Sequence, residues 1–99
     1  MTIKIQSVHF DADQKLLDFI EEKVNKLNLF DDAILGAEVI LRLDKSQNTE
    51  NKLTEIRINV SGYDLFAKKQ CKTFEEAVDQ TIEALKRQLS RQKGKKTSR

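Results

Sequence analysis

The 99-residue sequence has little of what builds loops, cross-links or membrane spans. It contains no proline and only three glycines, which argues against a disordered linker or a loop-built scaffold. Its single cysteine, Cys71, excludes an internal disulfide, so nothing points to secretion. No apolar run is long enough for a signal peptide or a membrane span. We therefore expect a soluble cytoplasmic protein that has no membrane partner.

Residue patterns that support catalysis or cofactor binding are also missing. The only histidine, His9, has no cysteine or serine motif beside it and is expected on the surface. Cys71 precedes a predicted helix start that could lower the pKa of its thiol, but a semi-buried, unreactive side chain is the commoner situation. The acidic pair Asp31–Asp32 lacks the spacing of a metal-binding loop, and no phosphate-binding loop or nucleophile motif is present. We expect no catalytic residue, metal, cofactor or small-molecule substrate.

Apolar spacing predicts six regular elements in the order βαβββα. Strand alternation occurs in the segments TIKIQSV, AEVILRLDK, LTEIRINVSG and, more weakly, YDLFAKKQCK. Helical spacing occurs first at Leu16, Ile20, Val24 and Leu27, then at Phe74, Ala77, Val78, Ile82, Leu85 and Leu89. Asp13 is placed to cap the first helix, and Thr73 with Glu76 matches a capping box for the second. Gly94 is the predicted end of the second helix.

This order predicts an α+β protein, a two-layer βαβββα sandwich. The first βαβ unit should place its two strands parallel, and the remaining strands should follow as an antiparallel meander. Each helix has one apolar face, so both should pack on one face of a four-stranded mixed sheet. We expect a single domain over residues 1–94, followed by a basic, flexible tail over residues 95–99.

Positive charge is concentrated at the end of the chain. Residues 86–99 contain seven basic and no acidic residues, whereas residues 1–85 contain eleven basic and all sixteen acidic residues, a formal balance of −5. The helix dipole alone favours Arg91 and Lys93 near a helix end, but it does not account for seven cations without one acid. The pattern predicts that this end meets a polyanion such as RNA. Because no clear aromatic stacking platform is present, we expect contacts to the nucleic-acid backbone and shape.

The two helical segments resemble those of the ribosome hibernation-promoting factors. This family includes the ribosome-associated translation inhibitors and was once labelled sigma-factor modulation proteins. The resemblance covers nearly the whole chain, through LLDFIEEKVNKL in the first helix and FEEAVDQTIEALKRQLSRQKGK at the end. Its most specific part is the L-x-R-Q-L pattern from Leu85 to Leu89 after Asp79. The chain departs from the family pattern at Thr73, Glu75 and Ala84, where an acidic, an aromatic and a basic residue are common.

The resemblance implies a non-enzymatic protein of the bacterial cytoplasm that binds the small ribosomal subunit during stress or stationary phase. It would lie in the channel of messenger and transfer RNA near the decoding centre and block translation. By position, the residues that contact ribosomal RNA would be Lys86, Arg87, Arg91, Lys93 and Lys95 of the second helix, with Lys23 and Lys26 near the end of the first. Lys96 of the basic tail completes the predicted RNA-binding set.

Two other functions stay open at the level of sequence. A general double-stranded RNA-binding module is the first alternative, because three strands followed by a basic helix are also the plan of that module. An enzyme or a protein-interaction adaptor is the second. A deep pocket lined by carboxylates, or by Cys71 and His9, would favour an enzyme, and a large exposed apolar patch would favour an adaptor.

Overall fold

The computed structural model describes residues 1–46 and 49–97, with side chains as far as Gln92. Its elements are β1 (Thr2–Val8), α1 (Gln14–Phe30), β2 (Ile34–Leu43), β3 (Lys52–Val60), β4 (Tyr63–Cys71) and α2 (Phe74–Thr97). The predicted βαβββα order is therefore confirmed.

The four strands form one sheet in the order β1-β2-β3-β4. β1 pairs parallel with β2, and β3 pairs antiparallel with β2 and with β4, as the sequence predicted. The register places Ile5, Val39, Ile56 and Ala67 side by side across the sheet. All four belong to the apolar core or pack against it. One face of the sheet is thus the covered face, and the alternate residues form an open face.

Both helices lie on the covered face. Their apolar stripes join the sheet in one core cluster that contains Leu16, Ile20, Val24 and Leu27 of α1 and Phe74, Val78, Ile82, Leu85 and Leu89 of α2. Burial of these stripes removes apolar area from water, and that burial is the main stabilising term for the two-layer arrangement. The predicted α+β sandwich, with both helices on one side, is confirmed.

Local capping determines where each helix begins. The Asp13 side chain accepts a hydrogen bond of 2.9 Å from the backbone N–H of Leu16, which satisfies one of the free amides of the first turn of α1. The Thr73 hydroxyl accepts from the backbone N–H of Glu76 at 3.1 Å and does the same for α2. The predicted Asp13 cap and the Thr73 half of the predicted capping box therefore operate in the fold.

The end of α2 differs from the sequence prediction. α2 passes through Gly94 and continues to Thr97. A glycine in a helix costs only about 1 kcal/mol relative to alanine, and the lysines that flank Gly94 are good helix formers. α1 continues to Phe30, so Lys23 and Lys26 precede its last turn, which contains no basic residue. The division at residues 94 and 95 into domain and tail stays a prediction.

The two helices begin at the same end of the molecule. Phe10, just before α1, stacks on Phe74, the first residue of α2, with ring centroids 5.1 Å apart. β1 and β4 run in the same direction, and each helix runs back antiparallel to the strand that precedes it. The two helices therefore run parallel to each other. α2 has 24 residues and α1 has 17, so the C-terminal turns of α2 extend roughly 10 Å beyond α1, at 1.5 Å per residue.

Candidate nucleic-acid interface

The buried stripe of α2 determines which of its residues face solvent. Leu85 and Leu89 are fully buried against the sheet. Since successive helical residues are separated by about 100° around the axis, Arg87 and Arg91 must then point away from the core. Both are exposed, whereas Lys86, next to the buried edge, is half-buried. Burial of Leu85 and Leu89 thus orients Arg87 and Arg91 toward solvent.

The described cations of α2 differ in their access to a ligand. The Nζ of Lys86 lies 3.3 Å from a carboxylate oxygen of Glu83, one turn earlier on the same helix. Arg87 and Arg91 form no ion pair with any carboxylate of the described part of the chain. Arginine presents a planar fork of donors that matches phosphate oxygens. These two guanidinium groups are therefore the cations best placed for phosphate contacts.

The two predicted cations of α1 are both paired. The Nζ of Lys23 lies 2.9 Å from a carboxylate oxygen of Asp79 on α2 and 5.5 Å from the centre of the Phe19 ring. Lys26 lies 4.0 Å from Glu22, one turn before it on α1. The fold thus places Lys23 beside α2, where it is paired with Asp79. A phosphate would have to compete with this carboxylate for the ammonium group of Lys23.

The remaining predicted cations lie at the far end of α2. The backbones of Lys93, Lys95 and Lys96 are helical. Their side chains lie outside the described residues. Their positions in the chain place them on the turns of α2 that extend beyond α1.

Some interface features were missed by the sequence analysis. The pairs Lys86–Glu83 and Lys26–Glu22 have spacings of three and four residues, a signal that is readable on any predicted helix. The side-chain N–H₂ of Gln88 donates at 3.0 Å to the backbone carbonyl of Phe66. This bond joins α2 to β4, the edge strand of the sheet, and no spacing in the sequence predicts it.

The residues considered for catalysis are not arranged for it. Cys71 is buried, and desolvation, with the nearby charges of Glu76 and Glu50, raises the pKa of its thiol. The helix start does not lower it, so the thiol is unreactive at neutral pH. His9 is exposed, as expected, with a φ of 65° in the bend before α1. Among the described residues no group of three histidine, cysteine or acidic side chains could hold a metal ion.

One concave region of the surface lies apart from Cys71 and His9, and the carboxylates of Glu38 and Asp64 are among its lining residues. It is a broad depression at one end of the open sheet face and also includes Lys4, Gly36 and Asn59. No helix of the described chain is long and apolar enough to cross a membrane.

Two solved structures have the same fold as this chain. A ribosomal subunit interface protein from Coxiella burnetii has a TM-score of 0.85 and 21% sequence identity, covering 95% of this chain and 99% of the other. The N-terminal domain of Thermus thermophilus Protein Y has a TM-score of 0.80 and 23% identity, covering 92% of this chain and 98% of the other. At these identities the similarity establishes the fold.

Curated relatives match over almost the full chain. A ribosome hibernation promoting factor of Azotobacter vinelandii is 28% identical over 99 residues, which are 100% of this chain and 89% of the relative. A factor of the same name from Pseudomonas putida is 26% identical over 98 residues, or 99% of this chain and 92% of the relative. The model of the sigma 54 modulation protein / S30EA ribosomal protein family matches residues 3–97, so the chain belongs to that family of non-enzymatic ribosome hibernation factors.

Proposed function

We propose that this protein is a cytoplasmic ribosome hibernation factor. It binds the small ribosomal subunit in the channel of messenger and transfer RNA, near the decoding centre, and inhibits translation during stress or stationary phase. The observation that carries this proposal is the outward pair of guanidinium groups, Arg87 and Arg91, which form no ion pair with a described carboxylate, on a helix whose last residues are predominantly basic. Relatives that match the whole chain are named for ribosome hibernation, which supports the same function.

The charge distribution supports one preferred orientation on ribosomal RNA. The N-terminal turn of α2 contains Glu75 and Glu76, and its outward residues become basic only after Glu83. α1 carries Glu21 and Glu22 ahead of Lys23. Only α2 has a gradient from acid at its start to base at its end, because α1 has no acidic residue in its first turn and no basic residue in its last turn. A polyanion attracts the basic end and repels the acidic one.

Charge reversal on α2 tests the proposal. In the variant Lys86→Glu, Arg87→Glu, Arg91→Glu the formal charge falls by six units while Leu85 and Leu89 are kept. The variant should retain its circular dichroism spectrum and lose both pelleting with purified small subunits and inhibition of translation in vitro. The matched control reverses the exposed residues Lys4, Lys15 and Lys45, with the same change in charge, and should bind and inhibit nearly normally.

Two outcomes would contradict the proposal. If the folded α2 variant still pellets and inhibits, the basic end of α2 is not the ribosomal contact. If the unmodified protein binds any RNA duplex as tightly as it binds intact small subunits, it is a general double-stranded RNA binder. Competition with a short RNA hairpin at fixed salt separates these cases.

A further inference from the structure

Gln88 joins the second half of α2 to the sheet through a side-chain hydrogen bond. Its N–H₂ group donates at 3.0 Å to the backbone carbonyl of Phe66, within the edge strand β4. The side chain is half-buried and precedes Leu89, which is fully buried. The bond therefore lies at the boundary between the core and the solvent-facing side of the helix.

This bond occurs where the buried stripe of α2 ends. Among the residues of α2 whose side chains are described, Leu89 is the last that is buried, since Ser90 and Arg91 are exposed and Gln92 is half-buried. Apolar burial is non-directional, so it sets the depth of a helix more strictly than its rotation about its own axis. A hydrogen bond requires a defined distance and angle. Gln88 thus restrains the rotation of α2 at the point where apolar packing stops.

The first half of α2 has a polar contact of its own. There Asp79 pairs with Lys23 of α1 at 2.9 Å. Asp79 and Gln88 lie roughly 13 Å apart along the helix, at 1.5 Å per residue. Gln88 is the one closer to the basic end, so its loss should free the rotation of that end more than loss of the ion pair would.

The neutral amide of Gln88 suits a contact that must persist when a polyanion binds. Hydrogen bonds from a charged donor to phosphate are roughly twice as strong as bonds between neutral groups. A lysine or arginine at this position would therefore gain more from a phosphate than from the carbonyl of Phe66. The amide is not drawn away in this manner, although residues 86–99 contain seven basic side chains.

We propose that Gln88 is a positioning residue for the binding of ribosomal RNA. Its bond to β4 fixes the rotation of α2 and so directs Arg91, its neighbour three residues later on the helix surface, toward a phosphate. Arg91 is exposed and forms no ion pair with a described carboxylate, so the helix itself orients this guanidinium group. The inference rests on the proposed function and assigns to the same surface a residue that acts through another.

The variant Gln88→Met tests this role, because methionine is unbranched, of similar length and a good helix former, but cannot donate. If Arg91 then loses its phosphate, the slope of log K against log salt for small subunits should become shallower by roughly 0.7–0.9. A merely structural bond would lower the melting temperature and leave that slope unchanged. The matched control Gln80→Met makes the same replacement at an exposed position earlier on α2 and should keep both values.

A double-mutant cycle shows whether Gln88 acts through Arg91. In the variant Arg91→Gln the phosphate contact is already absent, so a further Gln88→Met substitution should change neither the affinity nor the salt slope. Equal losses with and without Arg91 would overturn the inference. If methionine at position 88 prevents folding, Gln88→Ala takes its place, since alanine is the best helix former.

Nuclear magnetic resonance checks the hydrogen bond itself in the unmodified protein. The side-chain N–H₂ protons of Gln88 should exchange with solvent more slowly than those of the exposed Gln80. Equal exchange rates would show that the bond is absent in solution and would also overturn the inference.

The outcomes separate this inference from the proposed function. If the unmodified protein pellets with small subunits and Gln88→Met binds them with the same salt slope, the positioning role is wrong and the proposed function stands. A lower melting temperature with an unchanged slope likewise leaves Gln88 a structural role alone. If the unmodified protein does not pellet with small subunits, the proposed function is wrong, and positioning for ribosomal RNA is wrong with it.

Discussion

Thr54 shows how a single residue can oppose the stability of the fold. It lies on the covered face of β3 and is fully buried, opposite Leu41 of β2 and Lys69 of β4. Its hydroxyl oxygen is the one buried side-chain polar atom, within the part of the chain described, that has no hydrogen-bond partner. Burial of an unsatisfied hydroxyl costs about 1–3 kcal/mol. The residue thus weakens the core between the sheet and α2.

Replacement of Thr54 by valine should therefore stabilise the protein. The shape of the side chain is nearly kept, both residues suit a strand, and the unsatisfied hydroxyl is lost, so the free energy of unfolding should rise by about 1 kcal/mol. Urea denaturation measures the change.

Thr81→Val is the matched control for this substitution. Thr81 is equally buried, but its hydroxyl donates to the carbonyl of Ala77 at 2.7 Å. Loss of that bond should lower stability or leave it unchanged. A loss of stability in Thr54→Val similar to that in Thr81→Val would show that the Thr54 hydroxyl is satisfied in solution.

At the scale of elements, the contact between the two helices has a charged component. Lys23 of α1 and Asp79 of α2 are partly exposed, at 31% and 51%, and 2.9 Å apart. A pair so exposed contributes little to stability, on the order of 0–1 kcal/mol. Its larger effect is electrostatic, because Asp79 neutralises the one α1 cation that the fold brings to α2.

Substitution of Asp79 by asparagine should tighten RNA binding. The change releases Lys23 and removes a negative charge from the outer helix surface. If Lys23 then reaches a phosphate, the slope of log K against log salt should steepen by roughly 0.7–0.9. The binding of small subunits, measured across a series of salt concentrations, tests this.

The double variant Lys23→Met, Asp79→Asn is the control. It lacks the released cation, so its salt slope should return to that of the unmodified protein. Weaker binding by Asp79→Asn would instead mean that the pair positions α1 against α2 for the ribosomal contact.

At the scale of the whole molecule, the segregation of charge determines how binding responds to salt. Residues 1–85, the acidic body, have a formal charge of −5, and residues 86–99, the basic end, contain seven cations and no acidic residue. Because the surplus cations lie at one end, folding of the acidic body does not have to overcome repulsion among them, and in the proposed function the basic end supplies the attraction to RNA. Binding should therefore depend steeply on ionic strength.

We expect an affinity loss of about 10³-fold between 50 and 200 mM salt if six phosphates are contacted. The loss arises because counterions released from RNA on binding must be displaced against a higher bulk concentration. Filter binding or pelleting across this range measures it. An affinity that is flat in salt would contradict an electrostatic interface, whichever cations were assigned to it.

The sequence by itself determined the properties that depend on local spacing. The stripe from Phe74 to Leu89 specified which face of α2 is buried, because helical periodicity alone places those residues together. Asp13 and Thr73 predicted the helix starts, since a cap acts on amides only three residues away. The concentration of cations from Lys86 onward likewise requires no tertiary information.

Only the tertiary structure decided which cations are available and what lies beside them. Lys23 and Asp79 are distant in sequence, and their pairing depends on how α1 packs against α2. The backbone carbonyl of Phe66 accepts a hydrogen bond from Gln88 of α2 only because β4 is the edge strand and α2 packs beside it. These contacts join elements whose separation in space is set by packing of the core, and no local pattern encodes that separation.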